Sequence, residues 1–151
     1  MRRDSRLSAV LHLLLHLREL EGPVTSEALG PLMNTNPVLV RRMLGGLRDA
    51  GIVSAEKGHG GGWALARPLD AVTLADVYRA LGSPNLFSMG PQRENPRCLV
   101  EQAVNRSLGK AFGEAEALLM AELARITVAA IARDVSRHHP HESHKRGNVH
   151  A

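Results

Sequence analysis

The stretch from Asn36 to Trp63 constrains this chain most, because its signals fix where each element begins and ends. Asparagine is a good N-cap, and Pro37 fits the first helical position, where its missing N–H costs no hydrogen bond. With 3.6 residues per turn, one face of the helix collects Val40, Met43, Leu44, Leu47 and Ala50. The other face collects Pro37, Val38, Arg41, Arg42 and Gly45. We therefore predict an amphipathic helix with a basic outer face.

A shorter helix precedes this one. Thr25 caps a helix over residues 26–33, and residues 34–36 supply a three-residue turn. An interior proline costs roughly 3 kcal/mol, so Pro31 should make this helix short, bent or early-ending. Helix, short turn and helix with a basic outer face is the helix-turn-helix pattern. On a lone helix the arginines would be a solvated face, but this context favours entry into the major groove of DNA.

A glycine-rich hairpin follows the second helix. Gly51 ends that helix as its C′ residue. Two short strand candidates enclose the loop 57–62, namely residues 52–55 and 63–66. A hairpin directly after a helix-turn-helix is a wing. Its glycines let the loop approach a DNA backbone or minor groove closely, and Lys57 and His59 supply charge or hydrogen-bond donors.

The rest of the chain is predicted to be helical apart from one loop. We expect a helix over residues 5–20, one capped by Thr73 and terminated by Gly82, a long one from Cys98 to about Arg125, and a last one from Thr127 to near Val135. Residues 83–97 are rich in proline, asparagine and glycine and should form an irregular loop. Trp63 and Tyr78 are interpreted as core residues.

The long helix carries an apolar stripe that one small domain does not cover. The stripe includes Val100, Val104, Leu108 and Leu118, and it predicts a helix-to-helix dimer seam. The fold class is therefore mostly α, a winged helix-turn-helix domain with a two-stranded β wing and a long C-terminal dimerisation helix. We divide the chain into a DNA-binding domain over 1–82, a loop with dimerisation helices over 83–136, and a flexible histidine-rich tail over 137–151.

The composition agrees with this fold class. The formal net charge of +4 is a mild basic bias, and an aromatic content of 3% favours a core of Leu, Val and Ala. No apolar run reaches the roughly 18–20 residues that span a bilayer. His12, His16 and Arg18 interrupt the N-terminal leucines, so we predict no signal peptide. The single cysteine excludes an internal disulfide, and we expect a cytoplasmic protein with no membrane partner.

Three other features have alternative chemical interpretations. Cys98 opens a helix beside Arg97, a setting in which thiolates form readily, so it is either a thiol sensor or an inert residue near the dimer seam. Residues 59–63 copy the oxyanion loop of some esterases, but no Gly-x-Ser-x-Gly elbow follows, and we predict no catalytic residue and no enzyme. Irregular spacing favours a solvated tail over a metal site for His138, His139, His141, His144 and His150.

Three segments together resemble the Rrf-two family of bacterial winged-helix transcriptional regulators. They are residues 35–53 (TNPVLVRRMLGGLRDAGIV), 57–68 (KGHGGGWALARP) and 73–81 (TLADVYRAL), and the similarity extends over about residues 1–135. The resemblance implies a homodimer joined by the long C-terminal helices, acting mostly as a repressor on palindromic operators. By position it also implies that residues 35–42 read bases and that the wing, residues 57–62, touches the flanking groove.

The chain departs from the family's iron–sulfur sensors. Those members carry three cysteines in the region that corresponds to residues 85–110, whereas this chain has Cys98 alone. A cluster usually needs several thiolates, so we expect no iron–sulfur cluster and no other cofactor. The pair Gly30-Pro31 also departs from the more regular helix of the family.

The sequence therefore predicts a homodimeric transcriptional regulator, a repressor, that binds a palindromic double-stranded DNA operator and responds to an effector that the residues do not identify. The alternative is a protein-interaction module whose long helix docks a different partner without specific DNA binding. Asn36 is predicted first as a cap and second as a base contact. The predicted DNA-contacting residues are Thr35, Asn36, Pro37, Val38, Arg41, Arg42, Lys57, His59, Gly60 and Gly61, with Cys98 as candidate redox sensor.

Overall fold

The computed structural model describes residues 5–85, 95 and 97–138. Its helices are α1 (Arg6–Glu19), α2 (Ser26–Leu32), α3 (Pro37–Asp49), α4 (Leu74–Ala80), α5 (Leu99–Arg125) and α6 (Val128–His138). Between α3 and α4 lie β1 (Val53–Glu56), β2 (Gly62–Leu65) and a single 3-10 turn (Leu69–Ala71) that the sequence did not predict. The predicted fold class, mostly α with a two-stranded wing, is confirmed.

The core lies between α1, α3, the wing, α4 and α6. Side chains with no accessible surface include Leu13, Leu14, Leu29, Leu44 and Leu47. Burying such a side chain contributes about 1.5–3 kcal/mol each, so this cluster dominates the stability of the domain. Trp63 and Tyr78 are buried as predicted. None of the helices in the described residues has both the length and the apolar character that a membrane crossing requires.

The inner face of α3 is buried at four of its five predicted positions, namely Val40, Met43, Leu44 and Leu47. The prediction for Ala50 was wrong, because Ala50 is exposed. The helix ends at Asp49 and Ala50 is its C-cap residue, so the helical periodicity no longer directs this side chain inward. Gly51 follows with a φ of +72°, the left-handed conformation that a C′ glycine adopts.

The wing is held on both sides of β2. Antiparallel pairing runs from Val53 with Leu65 to Glu56 with Gly62. Both strands are shifted by one residue toward the loop, compared with the predicted strands 52–55 and 63–66. On the other side Val24 exchanges two hydrogen bonds with Trp63, at 2.9 and 2.8 Å. The Trp63 indole Nε1 donates to the buried Ser26 hydroxyl at 2.9 Å. These contacts fasten the hairpin to the start of α2.

Helix α4 begins and ends where the sequence predicted. The Thr73 hydroxyl accepts from the Asp76 N–H at 3.1 Å, and the Asp76 carboxylate accepts from the Thr73 N–H at 2.9 Å, a complete capping box. Gly82 follows the helix with a φ of +82°. Within the predicted loop 83–97, residues 86–94 and 96 lie outside the described residues.

The two C-terminal helices differ in burial. Helix α5 has no buried residue, and its most exposed large apolar side chains are Leu99 (78%), Val100 (71%) and Leu118 (69%). Helix α6 extends three residues beyond the predicted end near Val135.

Helix α6 packs against the winged-helix core, whereas the sequence groups it with the dimerisation helices. Val128 and Ala129 are buried in the same cluster as the α1 leucines, and the Val128 N–H donates to the Val72 carbonyl at 2.9 Å. The physical reason is the strongly one-sided apolar face of α6, which needs a neighbour. The domain division itself stays a prediction, as does the character of the tail, of which residues 139–151 lie outside the described residues.

Candidate nucleic-acid interface

The turn between α2 and α3 is built by short-range hydrogen bonds. The Asn36 Oδ1 accepts from the Leu39 N–H at 2.9 Å, so Asn36 is the N-cap that the sequence predicted. The Thr35 N–H donates to the Gly30 carbonyl at 2.9 Å. A Cβ at Gly30 would lie only 2.9 Å from the Thr35 carbonyl oxygen, so a glycine is required where α2 meets the turn. Helix α2 is short, as expected, and ends one residue after Pro31.

The outer face of α3 is open to solvent. Val38 is 62% exposed, Arg41 and Arg42 are exposed, and Pro37 is half-buried. Leu39 was not among the predicted contacts, yet it is 42% exposed beside Val38. Apolar side chains on such a face can contact thymine methyl groups. Leu39 lies between the two faces of the helical pattern, which is why periodicity alone did not select it.

The two adjacent arginines have different surroundings. Arg41 Nη1 donates to Glu27 Oε1 at 2.8 Å, and both side chains are at least half exposed. Arg42 makes no ion pair with the residues that the structure describes. Glu27 was missed by the sequence reasoning, because a partner 14 positions away has no helical or strand spacing that would indicate it. Its pKa is lowered from the ordinary carboxyl value by its backbone N–H first and by Arg41 second.

The wing loop exposes Lys57, His59 and Gly60, three of its four predicted contacts. Gly58 and Gly60 have φ values of +91° and +77°, a conformation that glycine adopts without strain. Gly61 is half-buried and donates from its N–H to the Gly58 carbonyl at 3.1 Å, which closes the loop. A Cβ on Gly61 would clash with the Glu56 carbonyl, so the glycine is required there by space.

The wing is joined closely to the end of α3. The Ile52 N–H donates to the Leu47 carbonyl at 2.9 Å, and the Ala66 N–H donates to the Ile52 carbonyl at 3.0 Å. Ile52 has no accessible surface. The base of the hairpin is therefore fixed relative to α3, and an exposed helix face and an exposed basic loop are carried by one rigid unit. Such a unit is what a winged helix uses on a DNA duplex.

Cys98 lies outside this unit, at the N-cap of α5. The side chain is half-buried and makes no capping hydrogen bond, while the backbone N–H donates to the Asn95 carbonyl at 3.0 Å. Of the tail histidines only His138 is described, and its Nδ1 lies 3.3 Å from the Asp134 carboxylate within α6. The structure brings neither residue together with the α3 face.

The fold and the exposed face of α3 define the class of winged helix-turn-helix proteins. Comparisons with known proteins agree. Residues 3–134 match the family model of Rrf2, described as an iron-dependent transcriptional regulator. YwnA of Bacillus subtilis (strain 168), named as an HTH-type transcriptional regulator, is 30% identical over 135 residues, which are 89% of this chain and 97% of YwnA.

Solved structures show the same fold. A transcriptional regulator from Lactobacillus plantarum has a TM-score of 0.74 at 24% identity, covering 89% of this chain and 92% of its own. CymR, the global cysteine regulator of B. subtilis, has a TM-score of 0.60 at 20% identity, covering 89% of this chain and 98% of CymR. The chain belongs to the Rrf2 family of transcriptional regulators, as the sequence resemblance predicted. It is a DNA-binding regulator and not an enzyme.

Because the family's description names iron, we ask whether the side chains of this protein could hold an iron–sulfur cluster. An iron–sulfur cluster is held by several thiolates. This chain has Cys98 alone. Within residues 5–85, 95 and 97–138, no three His, Cys, Asp or Glu side chains are grouped so that they could hold a metal ion. The residues therefore do not fit a cluster bound through three cysteines of one chain.

Proposed function

We propose that the protein acts as a homodimeric repressor on a palindromic DNA operator in the cytoplasm, without an iron–sulfur cluster. The observation that carries this proposal is the open outer face of α3, with Val38 and two arginines, fixed beside the exposed glycine wing. The family membership favours this function over the protein-interaction module.

The dimer is supported by the apolar surface of α5. A monomer would leave Leu99, Val100 and Leu118 in water, each more than two-thirds exposed. Large apolar side chains exposed along one helix favour an interaction site, and a two-fold interface places the same helix on both sides. In such a dimer the two α3 helices would lie about 34–36 Å apart, one turn of the DNA helix. A palindromic operator follows from that two-fold symmetry.

The predicted contacts divide into two kinds. In this proposal the residues near the start of α3, from Thr35 to Val38, contact base edges, and the exposed wing residues Lys57 and His59 contact phosphates or the minor groove. The Asn36 Oδ1 already accepts the capping hydrogen bond, so its two amide N–H groups are the donors it can offer a base. Gly60 and Gly61 allow close approach of the loop backbone.

We further propose Cys98 as the residue through which an oxidant could act. Its thiol is half-buried at the first turn of α5, the helix that we propose as the dimer seam. A modification there would alter the spacing of the two α3 helices rather than the contacts themselves. The alternative, an inert packed cysteine, predicts no redox dependence of DNA binding.

The test begins with duplexes selected by the protein from a random-sequence library. A palindromic consensus with half-sites one helical turn apart is the expected result. Arg42→Gln should lower the slope of log affinity against log salt by about 0.9, the value for one lost phosphate contact. Selection without a consensus would contradict the repressor proposal and favour the interaction module.

Dimerisation has its own test. Leu118→Asp places a charge on the exposed apolar face of α5, and the variant should sediment as a monomer with an unchanged far-UV circular dichroism spectrum. Ala124→Asp adds the same charge about 120° away around the same helix and should stay dimeric. A dimeric Leu118→Asp variant would place the interface elsewhere.

A further inference from the structure

An ion pair connects the two helices of the helix-turn-helix motif. Arg41 on α3 donates through Nη1 to Glu27 Oε1 on α2 at 2.8 Å. Arg42 makes no such pair with the described residues, although both arginines lie on the outer face. The sequence pattern treats the two arginines alike, whereas the structure distinguishes them. Arg41 has a carboxylate partner on α2, and Arg42 has none among the described residues.

The Glu27 carboxylate lies at the start of α2 and is paired with Arg41. It belongs to the first turn of α2, and its Oε1 accepts from Arg41 Nη1. The pKa of Glu27 is lowered by its backbone N–H first and by Arg41 second, so the carboxyl is anionic at neutral pH. The Thr25 hydroxyl accepts from the Ala28 N–H at 3.2 Å, so this backbone donor at the start of α2 is already bonded within the chain. The surface between α2 and α3 thus carries a negative charge that Arg41 neutralises.

We propose that Glu27 is a specificity-determining positioning residue, which holds Arg41 for base contact and withholds it from phosphates. This inference rests on the proposed DNA-binding function of the α3 face. A phosphate that competes for Arg41 must approach the Glu27 carboxylate, and like charges repel. A guanidinium has five N–H donors, and Glu27 uses one of them, so a guanine edge can still be bound. Arg42 is left as the sequence-independent phosphate contact.

The experiment measures binding of the full-length protein to its selected consensus duplex and to a shuffled duplex of equal length and composition. Glu27→Gln keeps the side-chain shape and removes the charge. We expect Arg41 to be released to the backbone, so that the salt slope on shuffled DNA steepens by about 0.9, or about 3.5-fold more loss between 50 and 200 mM salt. The preference for the consensus should fall about 5-fold or more, because a base contact becomes a phosphate contact.

Two comparisons separate this role from simple charge repulsion. In an Arg41→Gln background, Glu27→Gln should leave unchanged both the salt dependence of the affinity and the preference for the consensus over the shuffled duplex. Asp49→Asn neutralises another exposed carboxylate, which pairs with Arg48 at 3.3 Å, and it should not change the preference. The melting temperature of Glu27→Gln should stay close to that of the wild type, because exposed ion pairs contribute little to stability.

The outcomes are distinguishable. An unchanged preference in Glu27→Gln, or an equal effect of Glu27→Gln with and without Arg41, overturns the inference while wild-type recognition of the consensus stands. If the wild type has no preference for any duplex, the proposed function fails first and the inference fails with it.

Discussion

The adjacent glycines Gly45 and Gly46 of α3 offer a test of its packing, because alanine substitutions there should have opposite effects. Both lie in the helix interior, where alanine is favoured over glycine by about 0.8–1.0 kcal/mol. At Gly45 an added Cβ meets no atom within 4 Å. Gly45→Ala should therefore raise the free energy of unfolding by about 1 kcal/mol, or about 2–4 °C in melting temperature for a chain of this size.

At Gly46 the added Cβ would lie 2.6 Å from the Ala80 carbonyl oxygen at the end of α4. The contact is with backbone, so no side-chain rotation relieves it, and α4 must move. Overpacking of this kind costs about 1–3 kcal/mol. The same helical preference offsets about 1 kcal/mol of that cost, so Gly46→Ala should lose up to about 2 kcal/mol. The difference between the two variants isolates the steric cost.

Urea unfolding followed by circular dichroism measures both variants. The protein concentration must be equal, because the stability of the proposed dimer would depend on it. If both alanines stabilise the protein equally, α3 and α4 are not in close contact at Gly46, and the account of the packing behind α3 fails.

Three further predictions follow from the described contacts. Trp63→Phe should cost about 1–3 kcal/mol by leaving the buried Ser26 hydroxyl without its donor, and adding Ser26→Ala should recover part of the loss in urea unfolding. The Thr73 backbone N–H first of all lowers the pKa of Asp76, so its charge stabilises the fold above the ordinary carboxyl pKa. The difference in the free energy of unfolding between wild type and Asp76→Asn should thus narrow as pH falls through the pKa of Asp76 in the folded protein. A difference that widens would contradict this. Oxidant should change the operator affinity of the wild type but not of Cys98→Ser, and equal affinities in both redox states would remove Cys98 as a sensor.

The elements that the sequence predicted well are those with local signals. Asn36-Pro37 starts α3, the pair Thr73 and Asp76 starts α4, and Gly51 and Gly82 end helices, each through contacts within a few residues. The wing follows from glycines that adopt positive φ. These are properties of short segments, so an amino-acid sequence states them directly.

What the sequence could not predict depends on contacts between distant residues. The packing of α6 on the core joins Val128 to Val72, and the wing is fastened by Val24 and by the hydrogen bond from Trp63 to Ser26. Periodicity indicates that α6 has an apolar face, but it does not say which neighbour covers that face. The pair Glu27 and Arg41 was missed for the same reason, although it distinguishes two arginines that the sequence left equivalent.

Helix α3 serves folding and recognition with opposite faces, and this separation decides which variants are informative. Val40 and Leu44 have no accessible surface, so changes there report on stability. Val38 and Arg42 are exposed predicted contacts, so we expect changes there to affect DNA binding and to leave stability nearly unchanged. Asn36 belongs to both groups, since its Oδ1 caps the helix and the exposed residue is also a predicted base contact. Truncating it would remove a cap worth about 1 kcal/mol together with the contact. To separate the effect on DNA binding from the effect on stability, Asn36 must be replaced by serine or aspartate. Both residues keep a capping oxygen and change the groups that are offered to DNA.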